Sequence, residues 1–116
     1  MDDDQEGQAE PTRARRRFAR FSVSLPAMVR ASQLGEQAVS ATVWTVSAGG
    51  LTLDLPVELA IGTSVALVLQ TRQGPINLEG HIVWAHTTKN VVFHGLAFPE
   101  PKHQEFALDL FLSENR

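Results

Sequence analysis

The sequence predicts a mainly β fold, a closed or nearly closed antiparallel barrel of six strands followed by one C-terminal helix. Three observations point there. Apolar residues recur at period two in several short segments, turn residues separate those segments at regular intervals, and only the last segment carries helical spacing. At 116 residues, with 43% hydrophobic and 20% charged residues, the chain is the size of one soluble domain.

The first strand begins at Phe21, where Val23, Leu25, Ala27 and Val29 alternate with Ser22, Ser24, Pro26 and Met28. Pro26 cannot donate a ladder hydrogen bond, so it restricts this strand to an edge or strand-start position. After a turn around Gly35, Val39, Ala41 and Val43 alternate with Ser40, Thr42 and Trp44 in a second strand that ends in the tight turn Ser47-Ala48-Gly49-Gly50. Leu51, Leu53 and Leu55 form a third strand closed by Pro56. Val65, Leu67 and Leu69 follow Gly62 as a fourth, ending near Gln73-Gly74-Pro75. In the fifth, Ile76, Leu78, Ile82 and Trp84 share one parity, and Gly80 stands where a bend or bulge would let a small barrel curl. The sixth strand, from about Asn90 to Phe98, has apolar residues on both parities. It is expected to be covered on its outer side by the C-terminal helix, about 100–112, with Pro101 in its first turn and Ala107, Leu108, Phe111 and Leu112 on one face.

The termini are organised by charge. Residues 1–12 lack large apolar side chains and read as a disordered acidic tail. Residues 13–22 read as an arginine-rich arm, 23–112 as the barrel with its helix, and 113–116 as a tail. Five of the 13 acidic residues (Asp2, Asp3, Asp4, Glu6, Glu10) fall in the first ten positions. Five of the 10 basic ones (Arg13, Arg15, Arg16, Arg17, Arg20) follow at once. The globular remainder therefore offers no broad cationic face to a nucleic-acid backbone.

The absence of cysteine excludes disulfides and thiolate metal sites, and fits a reducing cytoplasm. The acidic N-terminus lacks the features of a signal peptide, and no apolar run reaches the ~18 residues of a membrane span. His81, His86, His94 and His103 show no metal-ligand spacing. There is no Gly-x-Ser-x-Gly elbow and no Gly-rich phosphate loop with lysine, so no catalytic constellation or cofactor is expected. Asp54 and Glu58 read as surface residues at a strand end. Trp44 and Trp84, each among apolar strand neighbours, read as packing residues of the core or barrel surface.

Two segments stand out together. Arg16-Arg17-Phe18-Ala19-Arg20 is an RxxxR arrangement just before the first strand, and Thr45-Val46-Ser47-Ala48-Gly49-Gly50 occupies the turn after the second. This pair resembles the signature of the PilZ domain family, RxxxR followed by [D/N]xSxxG. Ser47 and Gly50 match, and Thr45 stands where Asp or Asn is usual. The resemblance extends over roughly residues 13–112 through Val23-Ser24-Leu25-Pro26, Ile61-Gly62-Thr63, Val83-Trp84 and Gly95-Leu96-Ala97-Phe98.

The resemblance implies a PilZ-type six-stranded barrel that binds cyclic di-GMP as ligand and acts in trans on an unidentified effector protein. Arg16 and Arg20 would clamp phosphate and guanine, with Arg15 or Arg17 assisting. Ser47, Gly50 and Thr45 would line the barrel side. The chemistry suits these residue types, because an arginine fork pairs bidentately with a phosphate or with guanine O6 and N7, or stacks on a base. Glycines at 49 and 50 permit φ > 0 and close approach of the backbone to a ligand. An Asp at position 45 would accept two guanine N–H donors, which one threonine hydroxyl cannot. Losing such a pair costs about 1–3 kcal/mol, a ten- to hundredfold loss of affinity. Two other readings stand beside this one. One is a PilZ-like protein-interaction adaptor that does not bind the nucleotide, as in type IV pilus machinery. The other is salt-sensitive binding of nucleic acid or acidic membrane through the arginine arm, which the adjacent acidic tail opposes.

Overall fold

The structure is a computed structural model in which residues 18–102 and 105–114 are described. It contains six strands, β1 (Phe21–Arg30), β2 (Val39–Val46), β3 (Gly50–Leu55), β4 (Ser64–Thr71), β5 (Gly74–Thr87) and β6 (Val92–Ala97), and a helix, α1 (Glu105–Glu114). A short 3-10 turn, Ser32–Leu34, joins β1 to β2 and ends at Gly35, whose φ of 85° is one that few side chains tolerate. All strand pairs are antiparallel, and the sheet closes on itself in the order β1-β2-β3-β6-β5-β4.

The period-two pattern becomes the inside of this barrel. Val23, Leu25, Ala27 and Val29 of β1, Ala41 and Val43 of β2, Leu51, Leu53 and Leu55 of β3, and Val65, Leu67 and Leu69 of β4 are all buried. Fully burying a leucine or valine contributes about 1.5–3 kcal/mol, so these alternating positions dominate the stability of the fold. Pro26 is tolerated because the β4 ladder against β1 starts only at Ala27. At Pro26 the strand is paired on one side alone, with β2.

Four details differ from the sequence expectation. Gly80 is no bulge. The register shift in β5 falls between Ile82 and Trp84, and Gly80 is buried where a Cβ would run into the Ala97 carbonyl. The glycine is needed because two strands of a tightly curled barrel approach there. The outer side of β6 is covered by the Trp84 indole lying over Gly95, leaving no room for a methyl at that position, whereas α1 packs mainly against β1 and β4.

The helix also starts later and turns a different face inward. Residues 101 and 102 are irregular, because the segment after β6 runs along the β2–β3 turn: Phe98 N donates to the Gly49 carbonyl (3.0 Å) and Lys102 N to the Ala48 carbonyl (2.7 Å). Pro101 therefore precedes the helix. The buried face of α1 is Ala107, Leu110 and Ser113, while Leu108 and Leu112 are exposed. Two aromatic contacts set this rotation, Phe111 on Phe21 (centroids 5.4 Å apart) and Phe106 edge-on to Phe98 (6.1 Å).

The β3–β4 connection carries Leu59 into the core. Gln33 Oε1 accepts from Ala60 N (3.1 Å) and from the Thr63 hydroxyl (2.8 Å), and Leu59 N donates to His94 Nε2 (3.0 Å). His94 is fully buried. Because Nε2 accepts, the ring proton sits on Nδ1, facing the Val92 carbonyl at 3.1 Å. No helix among the described residues is long and apolar enough to cross a membrane. Nor does any group of three or more His, Asp or Glu among them lie where it could hold a metal ion.

Candidate functional site

The Ser47–Gly50 turn is built by its own serine. Ser47 Oγ accepts from the backbone N–H groups of Gly49 and Gly50 (3.2 Å each) and donates to the Gly50 carbonyl (3.3 Å), which also accepts from Ser47 N (2.8 Å). The hydroxyl proton and both lone pairs are thus engaged within the turn. Neither Gly49 nor Gly50 has positive φ, contrary to one reason the sequence suggested for them. Space requires the glycine at 50, and the one at 49 is closely packed. A Cβ on Gly50 would overlap the Leu96 carbonyl, and one on Gly49 would stand 3.1 Å from the Phe18 ring.

That ring joins the two motifs. Phe18 is the central residue of Arg16-Arg17-Phe18-Ala19-Arg20, and its ring packs against Gly49 in the turn that carries Ser47 and Gly50. Arg20 is exposed at the entry to β1, where Phe21 pairs with Val46 just before the turn. Arg15, Arg16 and Arg17, the other arginines singled out, lie outside the described residues, as does His103.

Beside the turn, the ladder sets Ser22 of β1, Thr45 of β2, Thr52 of β3, Gly95 of β6 and Trp84 of β5 next to one another in one lateral row. Ser22, Thr45 and Thr52 make a shallow floor, bounded on the β6 side by the indole of Trp84 lying over Gly95. Thr45 Oγ1 and Thr52 Oγ1 are hydrogen-bonded at 2.8 Å, and both residues are half-buried. One residue pair further along, Asp54 accepts from Trp44 Nε1 (3.0 Å) and Thr42 N (3.1 Å), bracing an indole that is 40% exposed. Asp54 is therefore tied into β2 and is no idle surface charge.

The sequence singled out Arg20, Thr45, Ser47 and Gly50, and the fold brings these four to one end of the β2–β3 hairpin. The sequence did not show Phe18 as the contact between motifs, or Thr52, Gly95 and Trp84 as neighbours of Thr45, because strand register across β3, β6 and β5 is not written in local pattern. A different surface, an open groove of about 620 Å³, is lined by residues including Met28, Arg30, Ala66, Val68, Asn77 and Glu79 of β1, β4 and β5.

Comparison with known proteins agrees with this fold. Residues 14–111 match the PilZ domain family. Among solved structures, the chain resembles the PilZ domain of YcgR from Escherichia coli, determined with c-di-GMP, at 17% identity and a TM-score of 0.68, covering 88% of this chain and 92% of that one. It also resembles the Bacillus subtilis inhibitor of motility MotI/DgrA, at 18% identity and a TM-score of 0.66 over 84% of this chain and 49% of that one. A further likeness is to the PlzA protein of Borreliella burgdorferi, solved in complex with c-di-GMP, at 15% identity and a TM-score of 0.53 over 85% and 51%. No curated protein sequence matches significantly. With a family match spanning most of its length, a closed six-stranded barrel and one C-terminal helix, this chain belongs to the PilZ domain family.

Proposed function

We propose that this chain is a receptor for cyclic di-GMP, a binding module and not an enzyme, which acts in trans on a protein partner when its arginine arm closes over the nucleotide. The observation that carries the reading is the Phe18 ring against Gly49. It brings Phe18, the central residue of the RxxxR segment, against the turn of the second motif, which supports reading the two halves of the family signature as one site. Arg16 and Arg20, with Arg15 or Arg17, supply planar forks for phosphate oxygens and guanine edges. The floor at Ser22, Thr45 and Thr52 has no bulky side chain to obstruct a flat ligand, and the Trp84 indole over Gly95 offers an aromatic surface beside it.

Ser47 and Gly50 act indirectly. The Ser47 hydroxyl is spent on the turn, so its contribution is to fix the backbone on which Phe18 rests. Two c-di-GMP complexes among the similar structures support the ligand assignment. Thr45 in the Asp/Asn position favours a second reading, an adaptor that has lost the nucleotide.

Calorimetric titration with cyclic di-GMP, using GTP as control, separates the two. The receptor reading expects saturable heat from cyclic di-GMP that Arg20→Ala abolishes or weakens at least tenfold, as loss of a charge-assisted fork of ~1.5–3 kcal/mol implies. No heat at high ligand concentration, with the protein folded, rejects the receptor and leaves the adaptor.

A further inference from the structure

We infer that the Thr45–Thr52 hydroxyl pair relaxes base selection at this site, so that it takes cyclic purine dinucleotides containing adenine as well as those containing guanine. The inference rests on the receptor reading and concerns only which base the barrel side accepts. A carboxylate at position 45 would be an acceptor only. It would suit the adjacent N1–H and N2–H donors of guanine and repel adenine, whose N6–H donor stands beside the lone pair of N1.

Two hydroxyls joined by one hydrogen bond behave differently. Thr45 Oγ1 and Thr52 Oγ1 lie 2.8 Å apart, and either can be the donor. Together they hold two protons and four lone pairs. Their mutual bond uses one of each, leaving one donor and three acceptor positions. That set can accept from adenine N6–H while donating to N1. With the bond reversed, it can accept from guanine N1–H while donating to O6. Both purines therefore find one donor and one acceptor. The pair sits on the floor of the row, flanked by Ser22 on one side and by the Trp84 indole over Gly95 on the other, so a base edge at the hydroxyls has a small residue on one side and an aromatic ring on the other.

The experiment is parallel titration of the wild type, Thr45→Asp and Thr52→Val with cyclic di-GMP, 3′,3′-cyclic GMP-AMP and cyclic di-AMP, with folding checked by circular dichroism. The wild type is expected to bind the three within about tenfold of one another. Thr45→Asp is expected to tighten cyclic di-GMP and weaken cyclic di-AMP, widening their ratio by about ten- to hundredfold, the discrimination of one bidentate base contact. Thr52→Val, which removes the second hydroxyl at nearly constant shape, is expected to weaken all three. Any guanine preference exerted by the arginines is common to these variants, so the change in ratio isolates position 45. Heat from cyclic di-GMP alone, or a ratio unchanged in Thr45→Asp, overturns the inference and leaves the receptor intact. Silence from all three dinucleotides overturns both.

Discussion

Replacing His94 by leucine is expected to weaken the barrel at neutral pH and to remove part of its acid sensitivity. His94 is completely buried in β6, where Nε2 accepts from Leu59 N at 3.0 Å and Nδ1 faces the Val92 carbonyl at 3.1 Å. In His94→Leu the Leu59 N–H loses its partner in a buried place, which costs about 1–3 kcal/mol. Burial holds the imidazole below the ordinary histidine value of 6.5, against the opposing pull of the Val92 hydrogen bond and the Glu58 charge. The folded state therefore favours the neutral ring. Its stabilisation is complete above the unfolded value and is lost as pH falls through that value towards the folded one. As the pH is lowered through the ordinary histidine value the unfolded chain takes up more proton than the folded chain, so the wild type loses stability that His94→Leu does not lose. Urea unfolding followed by the fluorescence of Trp44 and Trp84 above and below that value measures both effects. Equal acid sensitivity in the two proteins would refute the reasoning, because the exposed His81 and His86 are common to both.

Three other perturbations follow from the packing. Gly50→Ala pushes a methyl into the Leu96 carbonyl, and since backbone cannot swing aside as a side chain can, thermal denaturation is expected to show a loss of about 1–3 kcal/mol or more. Phe18→Ala removes the ring that rests on Gly49. It is expected to leave unfolding nearly unchanged while weakening cyclic di-GMP about three- to tenfold, since the root of the arm at Phe18 is then no longer held against the turn. On α1, Leu110→Ala is expected to cost about 2–5 kcal/mol. Leu108→Lys and Leu112→Lys, on the exposed side, should stay within about 0.5 kcal/mol of wild type.

The strands were legible because their burial has period two and most inward residues are Val, Leu, Ile or Ala, with turn residues between runs. The helix face was not. From Phe106 to Leu112 only Asp109 is polar, so helical spacing selects no single face, and the choice falls to Phe21 and Phe98, which are distant in sequence. Gly80 and Gly95 were visible as glycines, but their reason lies in an approaching carbonyl and an indole that only the closed barrel supplies. The candidate site divides the same way. Thr45, Ser47 and Gly50 stand in one short motif, whereas Thr52 and Trp84 reach that motif through register across neighbouring strands.

The central claim is that a cyclic dinucleotide binds on the outer β2–β3–β6 surface beneath the arginine arm, and amide chemical-shift mapping during titration with cyclic di-GMP tests it directly. The account predicts shifts confined to the arm around Phe18 and Arg20, to Ser22, to Thr45 through Gly50, to Thr52 and Gly95, and to the indole N–H of Trp84. Shifts centred instead on Met28, Ala66 and Asn77 in the β1–β4–β5 groove, or none at saturating ligand, would contradict it.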